Sequence, residues 1–431
     1  MKAEIKMPSL LPEDRKEKWY SFMRKGSTRS ILASLVCIAG GVLIGFVILL
    51  LLAAFTESIP IFDAFTGLFI ILGGPFAAGN GADVLFQLGD MLLESTPLLM
   101  TGLSVAIAFK TGLFNIGAPG QYLMGAMGSL IVALSIPTTP GTAFFVWLLA
   151  LLVGILCGMI WGAIPGLFKA IFKVNEVIVC IMTNWIAANI VSWVFYSTGD
   201  RFVNIAETKT KFIRKTITNG VMTPKFGLDK LFPGSHIDIG LFIAILLAVG
   251  VYILINKTTL GYELKACGFN KDASQYAGMN EKRNIILSMV IAGGLAACGA
   301  SLWYLNGQND FLWNTYLSLP NDGFNGIPVA LLASNNPLGV IFSSIFLRYI
   351  GKGGFNLSGY TAFNEYVSNL IIAMIIYFAG FSKLLIEIIS RRQDKKREAR
   401  LAAQSAAAAR ESMEEHGQTP GSGTTAEGGE N

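Results

Sequence analysis

Apolar runs of membrane length, divided by short polar stretches, set the pattern of this chain. Ile31 to Phe55 is a nearly uncharged run, long enough to cross a bilayer once. Thr56 to Thr96 carries Glu57, Asp63, Asp83, Asp90 and Glu94 among many glycines, and its apolar piece, Phe62 to Leu72, is too short to span. That stretch is expected outside, partly lying on the bilayer. Pro97 to Phe109 predicts a short apolar helix closed by Lys110, and Leu113 to Ile136 follows a tight turn at Thr111 and Gly112. Thr142 to Ile164 and Val174 to Tyr196 predict two spans joined by a turn that carries Lys169 and Lys173. Ile237 to Asn256 and Ile285 to Leu305 predict two more. The short run Gly326 to Ala333 is broken by Asn335, Asn336 and Pro337 before Leu338 to Ile350, and Tyr366 to Ile389 is the last apolar run. The expected fold is an all-α polytopic membrane protein of about ten transmembrane helices, some of them short or broken.

Composition agrees. Of the 431 residues, 53% are hydrophobic and only 14% charged. That is more apolar length than one soluble core needs. The charges gather in the N-terminal arm (1–30), the loop 199–236, the loop 257–284 and the low-complexity tail (391–431), leaving 31–390 as the transmembrane domain. By the positive-inside rule, the basic arm and the cluster Arg391, Arg392, Lys395, Lys396 and Arg397 put both termini in the cytoplasm. Parity then makes 199–236 extracytoplasmic and 257–284 cytoplasmic. The net charge of +5 therefore reports topology, with no nucleic-acid partner implied. The acids and prolines of the arm, with no small-residue cleavage site, read as a retained segment and not a cleaved signal peptide.

Five isolated cysteines and two histidines give no metal-binding spacing and no disulfide framework. There is no phosphate-binding loop, since Gly351-Lys352 is followed by glycine, and no G-x-S-x-G or H-E-x-x-H. Neither ATP hydrolysis nor membrane-embedded hydrolysis is expected on this chain. Acids within the spans look scarce, with Glu176 at a helix start, which disfavours transport powered by an ion gradient.

The stretch Gly112 to Gly128, GLFNIGAPGQYLMGAMG, holds five glycines, Pro119, Asn115 and Gln121. In hydrocarbon such a break survives only where protein or a water-lined path surrounds it, so it reads as a translocation element. The competing reading is close helix packing by small residues, with Asn115 as an interhelical hydrogen bonder. The spans also hold Asn184, Asn189 and Thr183, with Phe114, Trp185 and Trp193 nearby. Phe114, Asn115, Gln121, Asn184, Trp185 and Asn189 are the expected path residues: the amides bond an uncharged solute while the rings contact its flat part. Interhelical bonds and interfacial tryptophans account for the same residues otherwise. In the loop Gly261 to Arg283, a short helix over Asp272–Tyr276 is expected, with Asn270 as cap and Gly278 as stop. It reads either as a helix for a partner's groove or as a solvated connector.

Four blocks in one order carry a family resemblance: FNIGAPGQYLMGA (114–126), VNEVIVCIMTNWIA (174–187), GYELKACGFNKDASQYAGMN (261–280) and GFNGIPVALLASNNPLG (323–339). They resemble the permease subunits of bacterial ABC importers of the ribose-type superfamily, in the nucleoside branch that works with a Bmp-type lipoprotein. The resemblance implies a multi-pass protein of the bacterial cell membrane, paired with a second permease, identical or related. It also implies two ABC ATPase subunits, which would hold the ATP and Mg, and a substrate-binding lipoprotein outside; this chain would hold no cofactor. Gly261, Asn270, Asp272, Ala273, Ser274, Gln275, Tyr276 and Gly278 would form the ATPase-coupling segment. Many relatives carry Glu where this chain has Pro119, so no acidic role is expected there. The expected cargo is a nucleoside; sugars or other small polar metabolites, and an ion-coupled carrier working alone, are the alternatives.

Overall fold

The computed structural model describes residues 26–56, 59–314, 318–364 and 366–381, with scattered helical positions beyond. The arm before residue 26 and most of the expected tail lie outside the described residues. The larger compact unit is Ser34–Ser382. Of the smaller, Met1–Ala33 with Lys383–Asn431, the described positions are helical, and Arg391 bonds Glu387 one turn earlier.

Helices make up the membrane part. In order they are α1 (Gly26–Phe55), α2 (Ile61–Gly73), α3 (Gly81–Lys110), α4 (Ala118–Ser135), α5 (Ala143–Phe172) and α6 (Glu176–Ser197). After a folded insertion with the single turn α7 (Leu228–Leu231) come α8 (Gly240–Lys257), α9 (Thr259–Phe269), α10 (Lys271–Tyr276) and α11 (Glu281–Tyr304). The last are α12 (Asn321–Leu332), α13 (Pro337–Tyr360) and α14 (Tyr366–Gly380). Among the described residues, six helices are long and apolar enough to cross a membrane, or seven if the pair α12 and α13, bent by 119°, is one span. The short apolar helices α2 and α14 accompany them. Asparagine starts many of these helices: the side chains of Asn80, Asn175, Asn270, Asn280 and Asn336 each accept from a backbone N–H in the first turn.

Two boundaries differ from the expected ones. The helix expected to begin at Pro97 begins earlier: α3 runs unbroken from Gly81 to Lys110, with Asp83, Asp90 and Glu94 on it. Proline in a helix interior removes the bond to the carbonyl four residues back, here that of Leu93, and crowds the preceding turn, and polar side chains bond other carbonyls around it. Ser95 bonds the Met91 carbonyl, Thr101 bonds those of Pro97 and Leu98, and Arg348 Nε donates to the Glu94 carbonyl at 3.2 Å. Likewise α5 continues through Pro165 to Phe172, so Lys169 sits in its last turn and not in a linking turn, 2.7 Å from Glu176.

The frame is a seam between α5 and α11. Gly154, Gly158, Gly162 and Gly166 recur every fourth residue on α5 and face Ser301, Ala297, Gly293 and Met289 of α11. A Cβ on Gly158 would run into Ala297 and the Gly293 carbonyl, so the backbones touch. With no hydrophobic effect to drive helices together in lipid, this close van der Waals approach carries the association.

The insertion 199–236 is ordered. A three-stranded antiparallel sheet in the order β1 (Val203–Asn204), β2 (Lys209–Ile213), β3 (Phe311–Leu312) ties it to the segment after α11. Phe202, Ile213 and Phe311 pack on Phe195 at the end of α6. At its far end, burial pushes the Asp238 carboxyl up to about 6, although Asn306 and the Gly240 amide donate to it.

Candidate functional site

Helix α3 stops at Thr111, and the chain turns through Gly112, whose φ of +72° is the left-handed conformation that glycine tolerates. Residues 111–117 are not helical and α4 begins only at Ala118. The break expected at Asn115 to Gln121 is therefore real, and its freed backbone groups have identifiable partners. Asn115 Oδ1 accepts from the Gly117 amide at 3.1 Å, and Asn184 Oδ1 reaches across from α6 to the Gly120 amide at 2.9 Å. Asn184 Nδ2 donates to the Ile116 carbonyl at 2.9 Å. Asn115 Nδ2 also donates to Gln121 Oε1 at 2.9 Å and to Ser104 on α3 at 3.2 Å. Asn115, Gln121 and Asn184 are all buried. One side chain from a neighbouring helix thus acts as the N-cap of α4, so the break is closed by amides that also join three helices.

Of the remaining expected path residues, Phe114 adjoins this cluster, and Trp185 and Asn189 stand apart from it. Phe114 is half-buried and packs on Phe109, with ring centroids 5.2 Å apart. Trp185 and Asn189 lie on the exposed face of α6, where Asn189 donates back to the Trp185 carbonyl.

Sequence reading missed a second polar site. A cavity of about 550 Å³ opens between α3, α12, α13 and α14, lined among others by Glu94, Asn321, Asn325, Arg348, Lys352 and Phe355. Lys352 Nζ lies 2.8 Å from Glu94 Oε1, and Arg348 bonds Asp322. All four charged side chains are partly exposed, between 15% and 31%; Glu94, Arg348 and Lys352 line the opening, and Asp322 is held to it through Arg348. Glu94, which the expected boundaries left outside the spans, belongs to a span-length helix. The available signal was Arg348 and Lys352, one helical turn apart after an apolar run, with Asn321 and Asn325 at the same spacing.

The segment from 257 to 284 folds much as expected. Helix α10 covers Lys271–Tyr276, Asn270 caps it by accepting from the Ala273 amide at 3.0 Å, and Gly278 ends it with a φ of +82°. Ser274 is buried against Cys267, while Asp272, Ala273, Gln275 and Gly278 sit toward solvent. Gly261, at the start of α9, packs on the backbone of α8 around Leu254 and Ile255. The rings of Phe269 and Tyr276 are 92% and 94% exposed, an unusual setting for two large aromatics on one short polar segment.

A family model described as the branched-chain amino acid transport system permease component matches residues 87–380. The chain belongs to this permease family. Among curated relatives, the permease is 35% identical over 362 residues to the nucleoside ABC transporter permease protein NupB of Lactococcus lactis subsp. cremoris, covering 84% of this chain and 93% of that one. It is 31% identical over 327 residues, 75% and 90% of the two chains, to the guanosine ABC transporter permease protein NupP of Bacillus subtilis. It is 28% identical over 303 residues, 68% and 76%, to the glucose ABC transporter permease protein TsgB13 of Haloferax volcanii. No solved structure matches the chain. The permease is a multi-pass membrane protein of an ABC transporter, a class that works with ATPase and solute-binding partners.

Proposed function

We propose that this permease carries nucleosides inward across a bacterial cell membrane, with both termini cytoplasmic, using ATP hydrolysed by partner subunits. The similarity to nucleoside and guanosine permeases over most of the chain carries this reading. The site geometry supports it: amides and a net-neutral charged cluster suit an uncharged solute with several polar edges. A second permease subunit completes the route, ABC ATPase subunits hold ATP and Mg, and a binding lipoprotein delivers the solute. Coupling rests on α10. Its buried Ser274 and capped N-terminus fix it to the membrane domain, while Asp272, Gln275 and Tyr276 project outward for an ATPase groove. Closure of the ATPase pair shifts the permease between outward-open and inward-open states. The break around Asn115, Gln121 and Asn184, with Phe114 beside it, is the element whose opening would bring those amides to the route. Similarity to a glucose permease favours a sugar as the second reading.

The test is uptake of tritiated uridine and guanosine into proteoliposomes holding the permeases, the ATPase and the lipoprotein. Uptake is expected only with ATP on the ATPase side, and excess unlabelled nucleoside, not glucose, should suppress it. In the same assay the double variant D272A/Y276A should lose most uptake with unchanged abundance in the membrane. Uptake of glucose alone would sink the nucleoside reading, and full uptake by the double variant would sink the coupling role.

A further inference from the structure

The cavity between α3, α12, α13 and α14 belongs to none of the four sequence blocks that carry the family resemblance, except where α12 borders it. Its walls come from separate parts of the chain: Glu94 from α3, Asn321 and Asn325 from α12, Arg348, Lys352 and Phe355 from α13, with α14 closing one side. We infer that this cavity is a binding site for the transported solute within the permease, and that the solute it takes is uncharged, polar on one edge and flat on another. This rests on the transport reading above, not on the choice of nucleoside.

Three observations point there. The first is charge in a costly place. Ionisable side chains on membrane helices are retained where they line a cavity or a path, and Glu94, Arg348 and Lys352 do so here, with Asp322 paired to Arg348. The second is their balance. Glu94 in the wall and Asp322 bonded to Arg348 offset Arg348 and Lys352 as ion pairs, so the cluster at the cavity carries no net charge to attract an ion. The carboxylate oxygens and the guanidinium still present acceptors and donors to hydroxyl groups. The third is the set of neutral groups. The side-chain amides of Asn321 and Asn325, one turn apart on α12, are exposed and make no hydrogen bond among the described residues, and the Phe355 ring is 62% exposed. An amide offers both donor and acceptor to the edge of a ring, and an aromatic face takes its flat side. A volume of about 550 Å³ lies within the range of small-molecule sites.

The placement of the charges also ties the site to movement. The ion pairs bridge three helices, α3, α12 and α13, and α12 is set against α13 through Ser334 and Asn335, both with left-handed φ. A solute that bonds these charges therefore bears on the relative position of the bent pair and α3.

The experiment uses the assembled transporter in nanodiscs, with Asn325→Cys as reporter and peptide mapping to separate it from the five native cysteines. A membrane-impermeant maleimide should label the new thiol, and uridine at ten times its dissociation constant should slow labelling about tenfold. Potassium chloride and glutamate should give no protection. Should Asn325→Cys fail to assemble with the ATPase, Asn321→Cys replaces it under the same expectations. No labelling at either position, or labelling that uridine leaves unchanged in a transporter shown to import uridine, overturns the inference. If instead the transporter imports glucose and not uridine, and glucose protects, the site stands and the nucleoside reading falls.

Discussion

Two polar clusters hang on the same helix, one meeting α3 at Ser104 and the other at Glu94, and they are built in opposite ways. The cluster around Asn115, Gln121 and Asn184 is neutral, buried and engaged with backbone: two of its oxygens accept from main-chain amides and one nitrogen donates to a main-chain carbonyl. The cluster around Glu94, Asp322, Arg348 and Lys352 is charged, half-open and paired mainly with itself, with amides beside it that bond nothing described. Polarity inside a membrane protein thus has two uses. One repairs a broken helix, and the other furnishes a cavity; a residue's type does not tell which.

Both clusters depend on the α5 and α11 seam, and breaking it gives the largest expected effect. Helix α11 also packs on α3 through Gly299, which leaves no room for a side chain against Met100 and Pro97. G158I places a branched side chain where Ala297 and the Gly293 carbonyl already stand. Overpacking of this kind costs about 3 kcal/mol or more because backbone must move. The expected outcome is loss of folded permease from membranes and from detergent size-exclusion profiles, with G158A intermediate. A wild-type melting curve for G158I would show that the seam is not the frame.

Much of the architecture was legible before any coordinates. The break was visible because glycine, proline and asparagine have local backbone consequences, and the short helix after Asn270 because capping and stopping are decided within a few residues. The seam carried a signal that the sequence reading passed over, the four-residue spacing of Gly154 to Gly166, and the partner it meets is a tertiary fact. What stayed hidden follows a common cause. Starting one apolar run at Pro97 and ending another at Ile350 left Glu94 and Lys352 outside them, whereas what joins the two stretches is tertiary: Arg348, far along the chain, donates to the Glu94 carbonyl. Whether Asn184 would bond a solute or the Gly120 amide likewise depends on how α6 is set against α4.

The sealed cluster is the next place to press. N184A removes the acceptor of the Gly120 amide and the donor to the Ile116 carbonyl at a position only 2% exposed. Leaving such groups buried and unpaired costs about 1–3 kcal/mol each. The melting temperature in detergent should fall clearly, and uptake per folded molecule should fall less than stability does. If uptake vanishes while the melting temperature holds, Asn184 touches the solute and the contrast between the clusters dissolves.

The open cluster should answer the other way. E94Q keeps an oxygen for Lys352 and nearly the same shape, so it removes one charge and little packing. The pair it weakens is partly exposed, and such pairs contribute less than about 1 kcal/mol, so the melting temperature should barely move. The ion-pair cluster, however, goes from balanced to carrying one excess positive charge, and a carboxylate acceptor for a solute hydroxyl becomes an amide. Losing a charge-assisted hydrogen bond of about 1.5–2 kcal/mol raises the apparent KM for uptake by roughly ten- to thirtyfold. The readout that separates this from a structural effect is a comparison of uridine with 2′,3′-dideoxyuridine. If Glu94 bonds a ribose hydroxyl, the wild type should prefer uridine and the variant should lose much of that preference. An unchanged preference together with an unchanged KM would mean that the charged cluster braces α3 against α13, as the amides brace α4 against α6, and that the difference between the two regions is one of exposure alone.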